Sequence, residues 1–184
     1  MRRCDMGDLP KVLDFYQCVI QETEDMSVYG RWIFGKHPTQ PMIEAYIRQG
    51  MMYCLEERGD IAATVAVTPY QTEDYHEIDW QAELADDEVA VVHILAVNPR
   101  LQKRGYAKVL MRDVIALAGH LGLKAVRLDA LDCNIPAHRL YESLGFQRRD
   151  VRRWHTANAG WIDFYLFEYL LEQGTRQDEE GEIQ

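Results

Sequence analysis

The segment Asn98–Ala107 has the residue types of an anion-binding turn. It follows an apolar run and precedes a pattern with helical spacing. The N-terminus of a helix exposes unpaired backbone N–H groups and the positive end of the helix dipole, and both favour an anion such as pyrophosphate. Gly105 permits a positive φ and a close approach of phosphate, while Lys103 and Arg104 add positive charge. Taken alone, the segment fits an anion site and a plain turn equally well.

Two familiar nucleotide-binding sequences are absent from this segment. It lacks the Gly-Lys-Ser/Thr ending of a Walker loop and the G-x-G-x-x-G fingerprint of dinucleotide-binding folds. The small side chain of Ala107 leaves room for a ligand on the first turn of the helix.

The elements around this segment predict an α/β domain. Glu88–Val97 is apolar on both faces, which is typical of a strand in the middle of a sheet. The helix Tyr106–Leu121 follows, with Gly122 as its stop, and then the strand Ala125–Leu131, so we expect a parallel right-handed crossover. One face of the first strand carries Val89, Val91, His93, Leu95 and Val97, and the other carries Ala90, Val92, Ile94 and Ala96.

The remaining elements complete a mixed sheet flanked by helices. A short strand near Arg2–Cys4 leads into a helix that starts at Asp8, and a second helix follows Pro41 and stops at Gly50. The other predicted elements are a hairpin of Met52–Glu56 with Ile61–Tyr70, an irregular stretch Gln71–Asp87 anchored by Tyr75, Ile78 and Trp80, a helix Ile135–Leu144, and strands Phe146–His155 and Asp163–Leu170.

Two segments together resemble the GNAT superfamily of N-acetyltransferases. Gln102-Lys103-Arg104-Gly105-Tyr106-Ala107 matches the family signature Gln/Arg-x-x-Gly-x-Gly/Ala, directly after a strand that ends Leu95-Ala96-Val97. Asn134–Phe146 resembles the family segment Asn-x-x-Ala-x-x-Leu-Tyr-x-x-x-Gly-Phe. The resemblance covers Val91–Phe146 clearly. It implies the GNAT acyl-CoA N-acyltransferase fold, with a central twisted mixed β-sheet flanked by helices, and acetyl-CoA as cosubstrate.

The resemblance also implies which residues contact the cofactor. The backbone of Leu95 and Val97 would pair with the pantetheine arm, and the amides from Gln102 through Ala107 would cradle the pyrophosphate. Asn134 would bind near the pantetheine end, although it could be only the N-cap of its helix. The expected cofactor-binding residues are Leu95, Ala96, Val97, Gln102, Lys103, Arg104, Gly105, Tyr106, Ala107, Asn134, Ala137 and Tyr141.

The implied chemistry is direct transfer of an acetyl group to an amine in a ternary complex, without a metal. A backbone N–H near Val97 can stabilise the oxyanion that forms on the thioester. The Tyr141 hydroxyl can protonate the departing thiolate as general acid, although from spacing alone it could be a packing residue. A covalent intermediate on Cys133 is the less favoured route, because no His and acid partner is visible to activate the thiol.

The general base is the open part of this mechanism. His93 is polar in an apolar strand, near the carboxyl end where sites open in α/β sheets, and a pKa near neutrality would suit the role. It can equally be a core histidine with its hydrogen bonds satisfied, and the base can be a water molecule. Glu88, Asp79 and Glu77 are the weaker alternatives.

Four aromatic residues lie in segments that form the acceptor-site wall in GNAT proteins, and they can equally cover the core. These are Tyr29, Trp32, Phe34 and Trp80. The acceptor stays open: polyamine, amino acid, antibiotic, peptide N-terminus and protein lysine are all compatible. A CoA-binding sensor without catalysis and a transferase for another acyl group are the alternative functions.

Composition and charge limit the other possibilities. The 184 residues suit one domain, which we expect to span residues 1–171, followed by an acidic, disordered tail at 172–184. The net charge of −10 argues against nucleic-acid binding, and the run Arg148–Arg153 fits a solvated strand. Four scattered cysteines suggest neither a zinc site nor disulfides. We expect no signal peptide and no membrane span, a cytoplasmic location, and, from the family resemblance, a homodimer as one option.

Overall fold

Seven strands form one mixed sheet in the computed structural model, which describes residues 1–172. Along the chain they are β1 (Arg2–Arg3), β2 (Met52–Glu57), β3 (Asp60–Thr68), β4 (Val89–Val97), β5 (Ala125–Leu131), β6 (Gln147–Thr156) and β7 (Gly160–Leu170). Their order across the sheet is β1-β2-β3-β4-β5-β7-β6. Neighbouring strands are antiparallel except β4 and β5, which are parallel as predicted.

Helices cover both faces of the sheet, which confirms the predicted fold class. The α-helices are α1 (Leu9–Glu22), α2 (Met26–Tyr29), α3 (Gln40–Arg48), α4 (Tyr106–His120) and α5 (Ile135–Ser143). A core beneath α4 and α5 fills one face, and a second core beneath α1 and α3 fills the other. Helix α2 has no counterpart among the predicted elements, because four residues are too few to show a periodic pattern.

Most predicted elements are confirmed to within three residues at each end. The largest difference is at β7, which begins at Gly160 and not at Asp163. Of the anchors predicted for the stretch between β3 and β4, Tyr75 and Ile78 are buried. Apart from Glu172, the expected acidic tail lies outside the described residues. Within residues 1–172 no helix is both long enough and apolar enough to pass through a membrane.

Strands β4 and β5 separate part-way along their length. They pair only from Val89 to Val92 on β4 and from Ala125 to Leu128 on β5. Beyond that point β4 continues alongside β3, whereas β5 continues alongside β7. A gap therefore opens in the middle of the sheet at the carboxyl ends of its two parallel strands, where ligands bind in open α/β sheets.

A β-bulge at Ile94 accompanies the separation. Between the pairs Ala66–His93 and Thr64–Ala96, β4 contains one residue more than β3. Ile94 has a φ of 44°, a left-handed conformation that is rare for a β-branched residue. An unpaired extra residue in a strand increases the local twist and re-aims the residues that follow.

The bulge reverses the two faces of β4. Val92 lies in the core beneath α4, and Leu95 and Val97, after the bulge, pack against that same core. Val91 lies in a cluster on the opposite face. The predicted alternation, which placed Leu95 and Val97 on the face of Val91, is therefore wrong, because the extra residue at Ile94 shifts the period by one.

A buried ion pair fastens the stretch between β3 and β4 to the sheet. Arg127 of β5 is 1% exposed and Glu168 of β7 is 2% exposed. The Arg127 Nη2 and Glu168 Oε1 atoms are 2.8 Å apart, and the Arg127 Nη1 donates to Gln71 Oε1 at 2.6 Å. Glu168 Oε2 accepts from the Gln81 N–H at 2.8 Å, and the guanidinium lies 4.2 Å from the Trp80 ring centre. The ion pair thus holds the stretch at its start, Gln71, and again near its middle, at Trp80 and Gln81.

We expect Arg127→Met to destabilise the protein by about 3–5 kcal/mol, because it leaves the Glu168 carboxylate buried without a countercharge. Urea denaturation followed by circular dichroism measures this change. The double variant Arg127→Met/Glu168→Leu should recover much of the loss, since neither charge then remains in the core. A single variant as stable as the wild type would show that Glu168 does not depend on Arg127.

Candidate active site

The edge of β4 that faces the gap presents free backbone groups. The Asn98 N–H donates to the Ala62 carbonyl of β3 at 2.9 Å, so Asn98 and Ala96 direct their backbone groups towards β3. Because alternate residues of an antiparallel strand bond to opposite sides, Leu95 and Val97 direct theirs towards the gap. The gap is thus lined by donors and acceptors to which an extended ligand can bond as a strand would.

Tyr16 of α1 supports the bulge from the other side of the sheet. Its hydroxyl donates to the Ile94 carbonyl at 2.7 Å and accepts from Thr64 Oγ1 at 2.8 Å. Tyr16 is 2% exposed, and burial raises its pKa, so the hydroxyl keeps its proton for this bond. The carbonyl that the bulge removes from the sheet therefore has a fixed partner.

The turn after β4 forms an open cradle at the N-terminus of α4. Asn98 Oδ1 accepts from the Arg100 N–H at 3.0 Å, which caps a short 3-10 turn. Lys103 and Gly105 have φ values of 63° and 87°. A Cβ atom on Gly105 would meet no protein atom within 4 Å, so the space above the glycine is free for a ligand. The side chains of Gln102, Lys103 and Arg104 are exposed, and those of Tyr106 and Ala107 are half-buried.

Helix α5 brings Tyr141 against the core. Asn134 caps the helix, and its Oδ1 accepts from the Ala137 N–H at 3.3 Å. Tyr141 is 6% exposed, and its ring packs against Phe146 and Phe167 at centre-to-centre distances of 5.9 and 5.6 Å. Burial raises the pKa of Tyr141, and the negative charge of Asp129 raises it further. The phenol therefore stays protonated throughout the physiological pH range.

Asp129 is an acidic group of the gap that the sequence analysis did not identify. It lies one residue beyond the last pairing of β5 with β4, and its Oδ2 accepts from the Tyr75 hydroxyl at 2.8 Å. Burial raises the pKa of Asp129, and the hydrogen bond from Tyr75 opposes that rise. Burial is the main cause that raises the pKa values of Tyr46, Tyr75 and Tyr141, and the charge of Asp129 raises each of them further. These groups therefore share one electrostatic environment.

His93 is a neutral side chain beside this group. Its ring stacks on Tyr46 of α3 with centres 5.7 Å apart, and burial lowers its pKa to about 4. The Thr68 hydroxyl donates its single proton to the Tyr70 carbonyl at 2.8 Å, so it accepts from His93 Nε2 at 3.2 Å. The neutral ring thus carries its proton on Nε2. Since α3 and β3 enclose the ring, its pKa lies below the near-neutral range that would suit a general base.

Comparison with known proteins identifies the family. The model described as the acetyltransferase (GNAT) family matches residues 19–146. The chain belongs to the GNAT acetyltransferase family. A [ribosomal protein bS18]-alanine N-acetyltransferase from Haemophilus ducreyi is 34% identical over 64 residues, which are 35% of this chain and 44% of that protein. The chain thus matches less than half the length of this curated relative.

Solved structures show the same GNAT fold over nearly the whole chain. The ribosomal-protein-S18-alanine N-acetyltransferase from Escherichia coli has a TM-score of 0.67 at 18% identity, covering 96% of both chains. A Drosophila melanogaster polyamine N-acetyltransferase has a TM-score of 0.65 at 17% identity, covering 92% of this chain and 98% of its own. An acetyltransferase from Salmonella typhimurium, solved with its cofactor acetyl-CoA, has a TM-score of 0.66 at 18% identity, covering 97% of this chain and 96% of its own.

The expected acceptor-site aromatics do not form one wall in this GNAT chain. Trp32 borders a cavity beside α1 and α2, and its ring centre lies 5.9 Å from that of Tyr16. Trp80 borders a different cavity and packs against Tyr75 and Arg127. Phe34 is 58% exposed. Of the four, Trp32 alone borders the cavity next to α1.

Of the weaker candidates for the base, Glu88 is held in an ion pair, and the backbone of Glu77 and Asp79 is bonded to β6. Glu88 precedes β4, at the end of the strand opposite the gap, and pairs with Lys124. The backbone carbonyls of Glu77 and Asp79 accept from arginines of β6.

Burial raises the pKa of the Cys133 thiol, although the charge of Arg31 opposes the rise, so the thiolate needed for a covalent intermediate is disfavoured. Among residues 1–172, no cluster of three or more His, Cys, Asp or Glu side chains is arranged to hold a metal ion.

The sequence contains a weak signal for Asp129. In β5 the apolar residues Val126, Leu128 and Ala130 alternate with Arg127 and Asp129, and all three lie in the core beneath α4. Two charged side chains on the other face of a central strand indicate an ion pair or a site. Their partners, Glu168 and Tyr75, come from distant parts of the chain, so the alternation alone does not separate the two roles.

We expect Tyr16→Phe to cost about 1–3 kcal/mol of stability, since it leaves the Ile94 carbonyl without its partner inside the protein. It should also lower the catalytic rate, because the bulge that shapes the gap loses its support. Thermal unfolding and a steady-state rate assay measure both effects. Tyr70→Phe, at a residue 40% exposed, serves as control and should change neither. An unaltered rate in Tyr16→Phe would contradict the role of Tyr16 in shaping the site.

Proposed function

We propose that this protein transfers the acetyl group of acetyl-CoA directly to a primary amine, in a ternary complex of protein, cosubstrate and acceptor. The observation that carries the proposal is the gap between β4 and β5, which leads into the open glycine turn at Gly105. A cosubstrate with a linear amide-containing arm and a pyrophosphate matches both features. The Salmonella typhimurium acetyltransferase, which was solved with acetyl-CoA as its cofactor, supports the same cosubstrate.

The cofactor would be held mainly by the backbone. The free groups of Leu95 and Val97 suit the amides of the pantetheine arm, and the N–H groups from Gln102 to Ala107 suit the pyrophosphate. Lys103 and Arg104 supply positive charge beside it. Asn134, already bonded through its Oδ1 to Ala137, retains its amide N–H groups for the arm. The small side chain of Ala137 in α5 would leave room for the arm, whereas that of Ala96 is buried in the core beneath α1 and α3.

The reaction needs a base, an oxyanion donor and an acid. An amine nitrogen attacks the thioester carbonyl, the new C–N bond forms, and the C–S bond breaks to release CoA as a thiolate. A gap-facing N–H at Val97 stabilises the oxyanion. Tyr141 donates its proton to the leaving sulfur as the negative charge develops there. Its raised pKa guarantees that the proton is present at neutral pH.

Asp129 suits the role of general base better than His93. A carboxylate with a raised pKa can accept a proton from the ammonium form of the acceptor, either directly or through water. Burial favours the neutral form of the His93 ring, so the ring has no negative charge to attract the ammonium form of the acceptor, as the Asp129 carboxylate has. His93 instead lines the site as a neutral polar group.

The relatives leave the acceptor open. Two carry names for acetylation of a ribosomal alanine and one for acetylation of a polyamine. These acceptors differ in charge and size, and fold similarity at less than 25% identity does not choose between them. The acceptor has to be inferred from this chain's own cavity.

We expect acetyl-CoA to bind in titration calorimetry, and thiol release to follow when a suitable amine is added. Gly105→Val should weaken binding by at least about tenfold, because its φ of 87° suits glycine alone. Tyr141→Phe should keep the affinity and lower thiol release by about 100-fold, the usual contribution of a general acid. Absence of binding in the wild type, or binding without release from any amine, would overturn the proposed activity.

We expect the rate with a saturating alkyl amine to fall at low pH as Asp129 becomes protonated. Its pKa is raised in the folded protein, so activity should be complete above that pKa and lost below it. Asp129→Asn should lower kcat by about 100-fold or more and remove this acid limb, whereas His93→Gln should keep the limb. The exposed Asp14 provides the control Asp14→Asn. An acid limb that disappears in His93→Gln and persists in Asp129→Asn would reverse the assignment.

A further inference from the structure

A cavity of about 470 Å³ lies between the segment around α2 and the turn that joins β6 to β7. One side of it is formed by α1 and the residues that follow, and the other by the β6–β7 turn. Its lining is mostly apolar, with a small number of polar groups. The apolar residues are Ile20, Met26, Trp32, Ile33 and Ala159, and the polar ones are Ser27, Arg31 and Asn158.

Arg31 is the charged group of this lining. Its Nε atom is buried and has no hydrogen-bond partner among the residues that the structure describes. Elsewhere the arginines Arg48 and Arg127 pair with Glu44 and Glu168, but Arg31 forms no ion pair within residues 1–172. Burying an N–H group without a hydrogen-bond partner is unfavourable. A ligand that supplies a hydrogen-bond acceptor at this position would therefore be stabilised.

The backbone of Arg31 is fixed on both sides. Its φ is 53°, in the left-handed region that non-glycine residues rarely adopt. Its N–H donates to the Met26 carbonyl at 2.6 Å, and its carbonyl accepts from Asn158 Nδ2 at 2.7 Å. The adjacent Gly30 has an ordinary negative φ. The unusual conformation therefore belongs to the arginine itself, and two hydrogen bonds from separate elements preserve it.

Two contacts link the cavity to the region of the gap between β4 and β5. Trp32 of its lining contacts Tyr16, whose hydroxyl holds the bulge at Ile94. The charge of Arg31 reaches the thiol of Cys133, which precedes Asn134 at the start of α5. The lining of the cavity is thus linked, through Tyr16 and Cys133, to the elements at the carboxyl ends of the two parallel strands.

We propose that the acceptor is an amine that also carries a carboxylate and an apolar group, as an apolar amino acid does, and that Arg31 binds the carboxylate. This inference rests on the proposed acetyl transfer and names its substrate class. The planar guanidinium fork matches a carboxylate in two parallel hydrogen bonds. The apolar lining receives the side chain. The same guanidinium repels a second ammonium group, so a polyamine is a poor acceptor.

The test compares pairs of amines that differ only in the carboxylate. Leucine with isopentylamine, and phenylalanine with phenethylamine, are such pairs. Wild-type protein should prefer the carboxylated member by at least about tenfold in kcat/KM, the contribution of a hydrogen bond to a charged group. Arg31→Asn should abolish that preference by lowering kcat/KM for the carboxylated member of each pair. Asn is tolerated at positive φ, so this variant keeps the backbone conformation.

Two matched variants sharpen the result. Arg31→Lys keeps the charge and loses the planar fork, so it should retain only part of the preference. Arg48→Gln removes an arginine that is 61% exposed and paired with Glu44, and it should leave the preference intact. A variant Arg31→Asn that still discriminates as well as the wild type would overturn the assignment of Arg31.

Binding measured without catalysis separates this inference from the proposed function. N-acetyl-leucine and N-isopentylacetamide are probes that differ only in the carboxylate, and titration calorimetry measures the affinity of each. N-acetyl-leucine should bind at least about tenfold more tightly, and Arg31→Asn should remove the difference. Equal affinities, or no binding of N-acetyl-leucine at millimolar concentration, would overturn the inference even if acetyl-CoA is turned over with other amines.

Discussion

The separation of β4 from β5 is the constraint on which the rest of the site depends. Four pairs hold the strands together, and after Val92 and Leu128 each strand follows a different neighbour. The backbone groups freed on β4 face the gap, and the bulge at Ile94 turns Leu95 towards the α4 side. Because Tyr16 satisfies the carbonyl that the bulge exposes, the sheet opens without leaving that group unpaired in the core.

Burial beside the gap sets the protonation state of each polar group. Desolvation disfavours whichever form is charged, so it raises the pKa values of Asp129 and Tyr141 and lowers that of His93. The same cause thus produces a more basic carboxylate, a permanently protonated phenol and a permanently neutral imidazole. Tyr75 limits the rise in the pKa of Asp129 by donating a hydrogen bond to its carboxylate. The ion pair of Arg127 with Glu168 keeps the Tyr75 stretch in place.

The sequence predicts those features of the site that require a particular residue type at a particular backbone position. The glycine at 105 and the cap at Asn134 are positions where backbone geometry demands particular residue types, so they are visible in the sequence with the elements around them. The bulge at Ile94 has no such signal, since its residue is unsuited to positive φ and is held by a tyrosine far away along the chain. The pKa of His93 is equally invisible in the sequence, since it depends on burial that only the tertiary fold produces.

The proposed acceptor site carries opposite charges, on Asp129 and on Arg31, and these would orient the acceptor. The chain as a whole has a net charge of −10, which attracts any cationic amine without distinguishing one from another. Selection of one amine over another therefore requires individual charged groups that are shielded from water. In the proposed reaction, the Asp129 carboxylate beside the gap would favour the amine end of an acceptor, and the Arg31 guanidinium of the cavity would favour an anionic end. An acceptor with both ends would be oriented by the same two contacts that select it, which would lower the entropic cost of aligning the amine with the thioester.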